Sequence, residues 1–387
     1  MSHDNHSPKS FCAPLLILAL GFTFPMRSWS RDVSTLDFIL TARLYPIGVS
    51  MILTNPSGLR NGENIPAGLS LREIPNSGVG EDGPGDDVTR TPQPQSMSIE
   101  LGSPVAAGLY KLEVFSSTST AFYLRVNSGD SNYDLTTVDI QGTIAQGATQ
   151  GFTINYSPAP GAIPTIRPVL NTTPLTDNIL ASCGDISLSG HARVAGPLRS
   201  NGNVNLSGDA MINGDVTAAT VNTTGHAEVA GQISQSPRSL NCLPSDLTAA
   251  LQLLTTSNDN ANIPAGFLKA GVLRITGKNT LTLPSGDYLV DRLELSGGSR
   301  LIANGSVRIF VRQSIDLTGQ SIAGTMASPL TIFSNSTGTL SLSGAAQLQA
   351  ILYAPTAKMN LSGQARAIGR IQVGVAGMTG ESKVEAP

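Results

Sequence analysis

The tripeptide Leu-Ser-Gly, with close variants, recurs through the C-terminal half of this 387-residue chain and limits it to very few folds. Copies end at Gly190, Gly208, Gly297, Gly319, Gly344 and Gly363, with degenerate ones at Gly225, Gly277 and Gly380. Successive glycines lie mostly about 17 to 25 residues apart, the length of one turn of a parallel β-solenoid. Within a copy, pairs such as Leu340 and Leu342 sit two apart and share one strand face, with polar residues between them pointing outward. The glycine then supplies a corner that accepts positive φ. After it, Gly190–Gly196, Gly208–Gly214 and Gly225–Gly231 align position for position, with small and β-branched residues facing inward. Two short strands per turn cannot bury themselves alone. Stacked about 4.8 Å apart they share a continuous core, which predicts a β-helix over 180–387. Its core is expected at Leu188, Leu206, Leu295, Leu317, Leu342 and Leu361, and residues 176–184 are expected to cap its open end.

Residues 31–157 read differently. Alternating stretches, among them Phe38–Leu44, Val49–Thr54, Ser96–Leu101, Gly108–Ser116, Ala121–Val126 and Gly151–Tyr156, are punctuated by Gly, Pro, Asn and Asp. Short strands at this spacing predict an antiparallel β-sandwich module. Gly108–Val114 and Ala121–Val126 read as a hairpin, and Asn55-Pro56-Ser57-Gly58 as a turn. Residues 158–179, with five prolines, read as a stiff linker. The acidic stretch Glu81–Asp87 lacks a regular ligand spacing and reads as a solvated loop. The fold class is therefore all-β: an antiparallel sandwich, then a parallel solenoid. One helical insertion is expected at Pro244–Leu254, where Leu247, Ala250, Leu251 and Leu254 recur at helical spacing behind Ser245 as N-cap.

Lys9, the apolar run Phe11–Pro25 and the small residues around Trp29 give residues 1–30 the form of a signal peptide, and no second apolar span follows. Cys12 opens that run rather than closing it, unlike a lipoprotein acceptor. Removing the leader leaves Cys183 and Cys242, a candidate disulfide in an oxidising compartment, with two separate thiols as the alternative. A formal charge of −3 with 13% charged residues offers no basic footprint for nucleic acid or anionic lipid.

Two constellations bear on chemistry. His191, Asp209 and His226 each follow a corner glycine, so they are expected to stack along one edge, as an ion-paired column or as a weak metal candidate. The outer histidines would sit about 10 Å apart, two rung spacings, so no metal or other cofactor is expected. Glu294 and Asp316 fall at corresponding positions of neighbouring repeats, the only carboxylates so placed to suggest a hydrolase pair. With no Gly-x-Ser-x-Gly, Walker, His-Glu-x-x-His or Cys-x-x-Cys motif, the chain reads as non-enzymatic.

The x-Leu-x-Leu-Ser-Gly and Gly-x-Ala-x-Val-x-Gly pattern resembles the β-helices of bactofilin-like proteins. With Leu283-Pro284-Ser285-Gly286-Asp287-Tyr288 and Ala350-Ile351-Leu352-Tyr353-Ala354-Pro355, it is still more similar to secreted bacterial proteins with pilus- or envelope-associated β-helix domains. The resemblance covers residues 180–380. It implies an exported, non-catalytic structural or adhesive protein of the extracellular surface or cell envelope (periplasm or outer surface). Its partners would be a cell-surface glycan or an envelope or pilus protein. The alternatives are a polysaccharide-binding or polysaccharide-degrading β-helix protein, and a self-associating, bactofilin-like polymer.

Overall fold

A computed structural model describes residues 40–45, 48–82, 96–102, 105–130, 132, 134–170, 178–235, 240, 242, 245–327 and 330–387. The segment read as a signal peptide and most of Glu81–Asp87 lie outside them.

Among the described residues, eleven strands build the N-terminal region: β1 Leu40–Tyr45, β2 Val49–Thr54, β3 Arg60–Asn64, β4 Leu69–Arg72, β5 Ser77–Asp82, β6 Ser96–Leu101, β7 Gly108–Ser116, β8 Thr120–Gly129, β9 Leu135–Ile144, β10 Thr149–Tyr156 and β11 Thr165–Val169. They form two antiparallel sheets, ordered β5-β6-β1-β8-β9 and β11-β10-β7-β2-β3-β4. Alternate residues of both, such as Phe122, Leu124 and Val126 from one and Leu112, Phe152 and Ile154 from the other, join one buried cluster. The Tyr110 and Tyr156 rings meet edge to face at 6.3 Å. The Asn55–Gly58 turn forms as expected, with the Asn55 side-chain oxygen accepting from the Ser57 and Leu59 N–H groups.

Two expectations need correction. β7 and β8 are not a hairpin: β7 pairs with β2 and β10, whereas β8 pairs with β1 and β9 in the other sheet. Alternation identifies the inward residues but not the sheet they belong to, and consecutive strands need not be neighbours. The proline-rich stretch is not all linker either, because β11 adds a strand to β10. Pro168 is tolerated there because β11 is an edge, where a missing N–H costs no ladder bond.

The solenoid is a single 20-stranded sheet wound around three faces. Face A begins at Leu180–Ser182, face B at Ile186–Leu188 and face C at Arg193–Ala195. The corner glycines all carry positive φ, between 68° and 74°, from Gly190 to Gly380. Space is as restrictive as conformation: a Cβ at Gly208 would meet the Gly190 backbone at 3.2 Å, and one at Gly214 would meet Gly196 at 2.3 Å.

The turns are not stacked in sequence order. On face B the inward column runs Val221, Val204, Ile186, Ala376, Met359, Leu340, Ile315, Leu293, Leu273. The first turn thus lies against the last, with Leu180 between Leu198 and Ile371, and Val194 between Ile212 and Val384. Residues 180–184 therefore occupy the middle of the stack and cap nothing. Among the described residues, one end of the stack is the turn at Val272–Ile275, covered by Ile263, Phe267 and Leu268. At the other end Val221, Ala227 and Val229 are half-buried and Ile233 is 48% exposed.

This order forces the chain to travel the length of the rod between Ser234 and Leu268. The helix α1, Ser245–Leu253, lies on that path. Outward-facing Leu289, Phe310, Phe333 and Tyr353 form an apolar ladder on face A, and Leu247, Ala250, Leu251 and Leu254 cover it. Nine residues of helix span about 13.5 Å, close to the three rung spacings of about 4.8 Å that the ladder occupies. Leu253 instead enters the core of the two-sheet region, so the insertion binds both parts of the chain.

Candidate functional site

Each corner glycine is followed by an outward residue, and successive N–H groups donate to the preceding corner glycine's carbonyl. His191 N bonds Gly380 O, Asp209 N bonds Gly190 O and His226 N bonds Gly208 O, each at 2.8 Å. His191, Asp209 and His226 are thereby brought into one column, one rung apart. His191 Nε2 lies 3.1 Å from Asp209 Oδ2, and His226 Nδ1 lies 3.3 Å from Asp209 Oδ1. The imidazoles take different oxygens on opposite sides of the carboxylate, so they do not converge on a common point. All three side chains are more than half exposed, and such contacts contribute little in water. Among the described residues no group of three or more His, Cys, Asp or Glu side chains is placed to hold a metal ion.

Sequence reading missed the fourth member of this column. Glu381 follows the corner at Gly380, so the reversed stacking places it one rung before His191, and it accepts from Gln364 at 3.0 Å. Its repeat was visible, but its neighbour was not.

Glu294 and Asp316 are in register on adjacent strands of face B. Arg274 Nε donates to Glu294 at 2.7 Å, with Arg292 3.5 Å away, while Asp316 accepts from Ser314 at 3.1 Å. Both carboxylates are thus already engaged by neighbouring side chains.

Cys183 and Cys242 are joined by a disulfide, which ties the insertion just before α1 to the corner between faces A and B. Beyond α1 a second tie was not legible in the sequence. Arg167 of β11 reaches Asp259 at 2.7 Å and Asp287 at 3.0 Å, and Arg308 donates to both oxygens of Asp287. Asp287 is 2% exposed. Two cations and two anions balance there, joining the two-sheet region, the insertion and the rod. Burial alone would raise the Asp259 carboxyl. Hydrogen bonds from Arg167 and the Asp287 N–H, with the Arg167 and Arg308 charges, hold it below the ordinary carboxylate range.

Residues 292–385 match the family model described as a domain of unknown function, DUF7305. No curated protein matches the chain. Solved structures give distant likenesses. An ice-binding protein from the Antarctic ascomycete Antarctomyces psychrotrophicus is 15% identical over 54% of this chain and 93% of its own, with a TM-score of 0.26. The ice-binding protein LeIBP from an Arctic yeast is 18% identical over 54% and 89%, with a TM-score of 0.25. The competence-associated pilin ComZ from Thermus thermophilus is 8% identical over 83% and 84%, also with a TM-score of 0.25. Likenesses of this size define no activity for the present chain.

Proposed function

We propose that this chain is an exported bacterial cell-envelope protein, non-catalytic, in which a rigid β-helix rod carries a β-sandwich module in a structural or adhesive role. The observation that carries the reading is the way the rod is closed. Its first and last turns interlock, and a disulfide and a four-charge cluster pin the crossing segment to it. Disulfides persist in oxidising compartments, which fits export. Outward ladders such as Asn205–Asn222 and Asn203–Thr220, bonded rung to rung at 2.9 and 2.7 Å, present hydrogen-bonding groups at a fixed spacing. Ice contact fits less well, because Glu294, Asp316, Lys358 and Asp185 bring charged, hydrated groups onto face B.

The test is surface proteolysis of intact bacteria producing the full chain, followed by non-reducing electrophoresis. Surface- or periplasm-accessible protein with an intact disulfide supports the reading. A reduced chain retained in the cytosol refutes it.

A second reading, self-association end to end, is favoured by the half-exposed core positions around Ile233. Light scattering of the wild type and of Ile233→Asp separates the two: growth with concentration that the substitution abolishes indicates a polymer.

A further inference from the structure

On the rungs between Val272 and Leu317, several charged residues meet their opposites on the next rung. Arg274 pairs with Glu294, Asp287 with Arg308 and Asp291 with Arg312. One column elsewhere in the rod has like charges side by side instead. On face C, Gln347, Arg366, Lys383 and Arg193 stand directly beside one another on four successive strands. Three consecutive cations oppose each other at strand spacing, an arrangement that destabilises a sheet unless something neutralises it. Arg366 is paired with Glu385. Lys383 and Arg193 have no carboxylate in ion-pair reach among the described residues. The column runs along an open groove of about 360 Å³ lined by Ala345, Gln347, Gln364, Arg366, Glu381 and Lys383. Arg193 is exposed on the strand next to Lys383.

We propose that this groove binds a linear acidic polysaccharide, with sugar carboxylates at Lys383 and Arg193 and sugar hydroxyls at Gln347, Gln364 and Glu381. The inference rests on the surface role proposed above and names its ligand class. Two adjacent unpaired cations beside side-chain amides suit a chain that carries a carboxylate and several hydroxyls on each unit. Nucleic acid suits the groove less, because no aromatic side chain lines it for bases to stack on. The groove is built from the last three turns, and the seam with the first turn brings Arg193 to its edge.

The experiment is calorimetric titration of the purified full chain with polygalacturonate, its fully methyl-esterified form and a single-stranded oligonucleotide. Binding is expected for polygalacturonate alone. It should weaken by about tenfold or more in Lys383→Gln/Arg193→Gln, and between about 0.05 and 0.5 M salt. Arg312→Gln, on face A away from the groove, should bind as the wild type does. Equal binding to the esterified polymer, preference for the oligonucleotide, or no binding to any of the three overturns the proposal. If the double variant does not fold, the comparison of the two polymers on wild-type protein still decides. A cytosolic protein that nevertheless binds would refute the export reading alone, and an exported protein that does not bind would refute this inference alone.

Discussion

Leu188, in the first turn of the rod, lies in parallel register beside Met378, in the last. Both are 1% exposed. The two segments are far apart in the chain, yet each supplies the other's missing neighbour. A solenoid stacked in sequence order would instead leave both as exposed ends.

Met378→Ala should therefore act across the seam. The expected cost is about 2–5 kcal/mol, as for truncation of a buried large side chain. Amide exchange should rise at Leu188 and Leu206 as well as at Leu361. Loss of protection confined to residues near 378 would argue against the interlocked order.

The disulfide closes a loop with a sequence separation of 59. In the chain-entropy account such a cross-link contributes roughly 4 kcal/mol. Cys183→Ser/Cys242→Ser should lower the urea midpoint accordingly, and reductant should lower that of the wild type but not of the variant. A midpoint indifferent to reductant would show that the bridge does not restrain the unfolded chain.

Phe310 is fully buried and stacks on Phe333, with ring centroids 5.1 Å apart, beneath α1. Phe310→Ala should cost about 3–5 kcal/mol. It should also release the amides of Leu251 and Leu254, because the helix has lost its platform. A destabilised variant that retains full helix protection would mean that α1 is held by Leu253 in the two-sheet region instead.

Acid should loosen the junction. The Asp259 carboxyl is held below its ordinary value in the folded state, on balance by Arg167 and Arg308 against the effect of burial. Asp139 is held low chiefly by Arg125, whose guanidinium reaches its two oxygens at 2.7 and 2.9 Å. A depressed folded value means stabilisation that is complete above the unfolded value of about 3.9 and lost as pH falls through the folded one. Denaturation midpoints should stay level from pH 7 to 5 on this account and drop below about pH 4. Asp259→Asn should be less stable at pH 7 and show a shallower acid slope. An unchanged slope would remove this cluster from the acid response.

Much of the rod was readable from local rules. Leu188, Leu206, Leu295, Leu317, Leu342 and Leu361 all lie in its core, as their spacing of two and the following glycine indicated. The Leu247–Leu254 periodicity placed α1 to within a residue or two, and the His191–Asp209–His226 column followed from equivalent corner positions. The groove on face C was hidden. Arg366 and Lys383 are neighbours in consecutive turns, but Arg193 joins them only through the seam, and nothing near it in the chain suggests a partner so distant in sequence.

Period-two alternation and positive φ after Leu-Ser are properties of a few adjacent residues, so the sequence by itself determined the turn length, the inward columns on either side of the glycine corner and that corner; the third face, at Leu180–Ser182, was not read, since two strands per turn were expected. Which turn stacks on which was left to the tertiary structure. Any two turns with apolar interiors and open strand edges fit each other about equally well, so local pattern has no preference among stacking orders. The choice falls to long-range terms: an insertion long enough to run back along the rod, an apolar ladder on face A for α1 to cover, and the ties at Cys183–Cys242 and Arg167–Asp259–Asp287–Arg308.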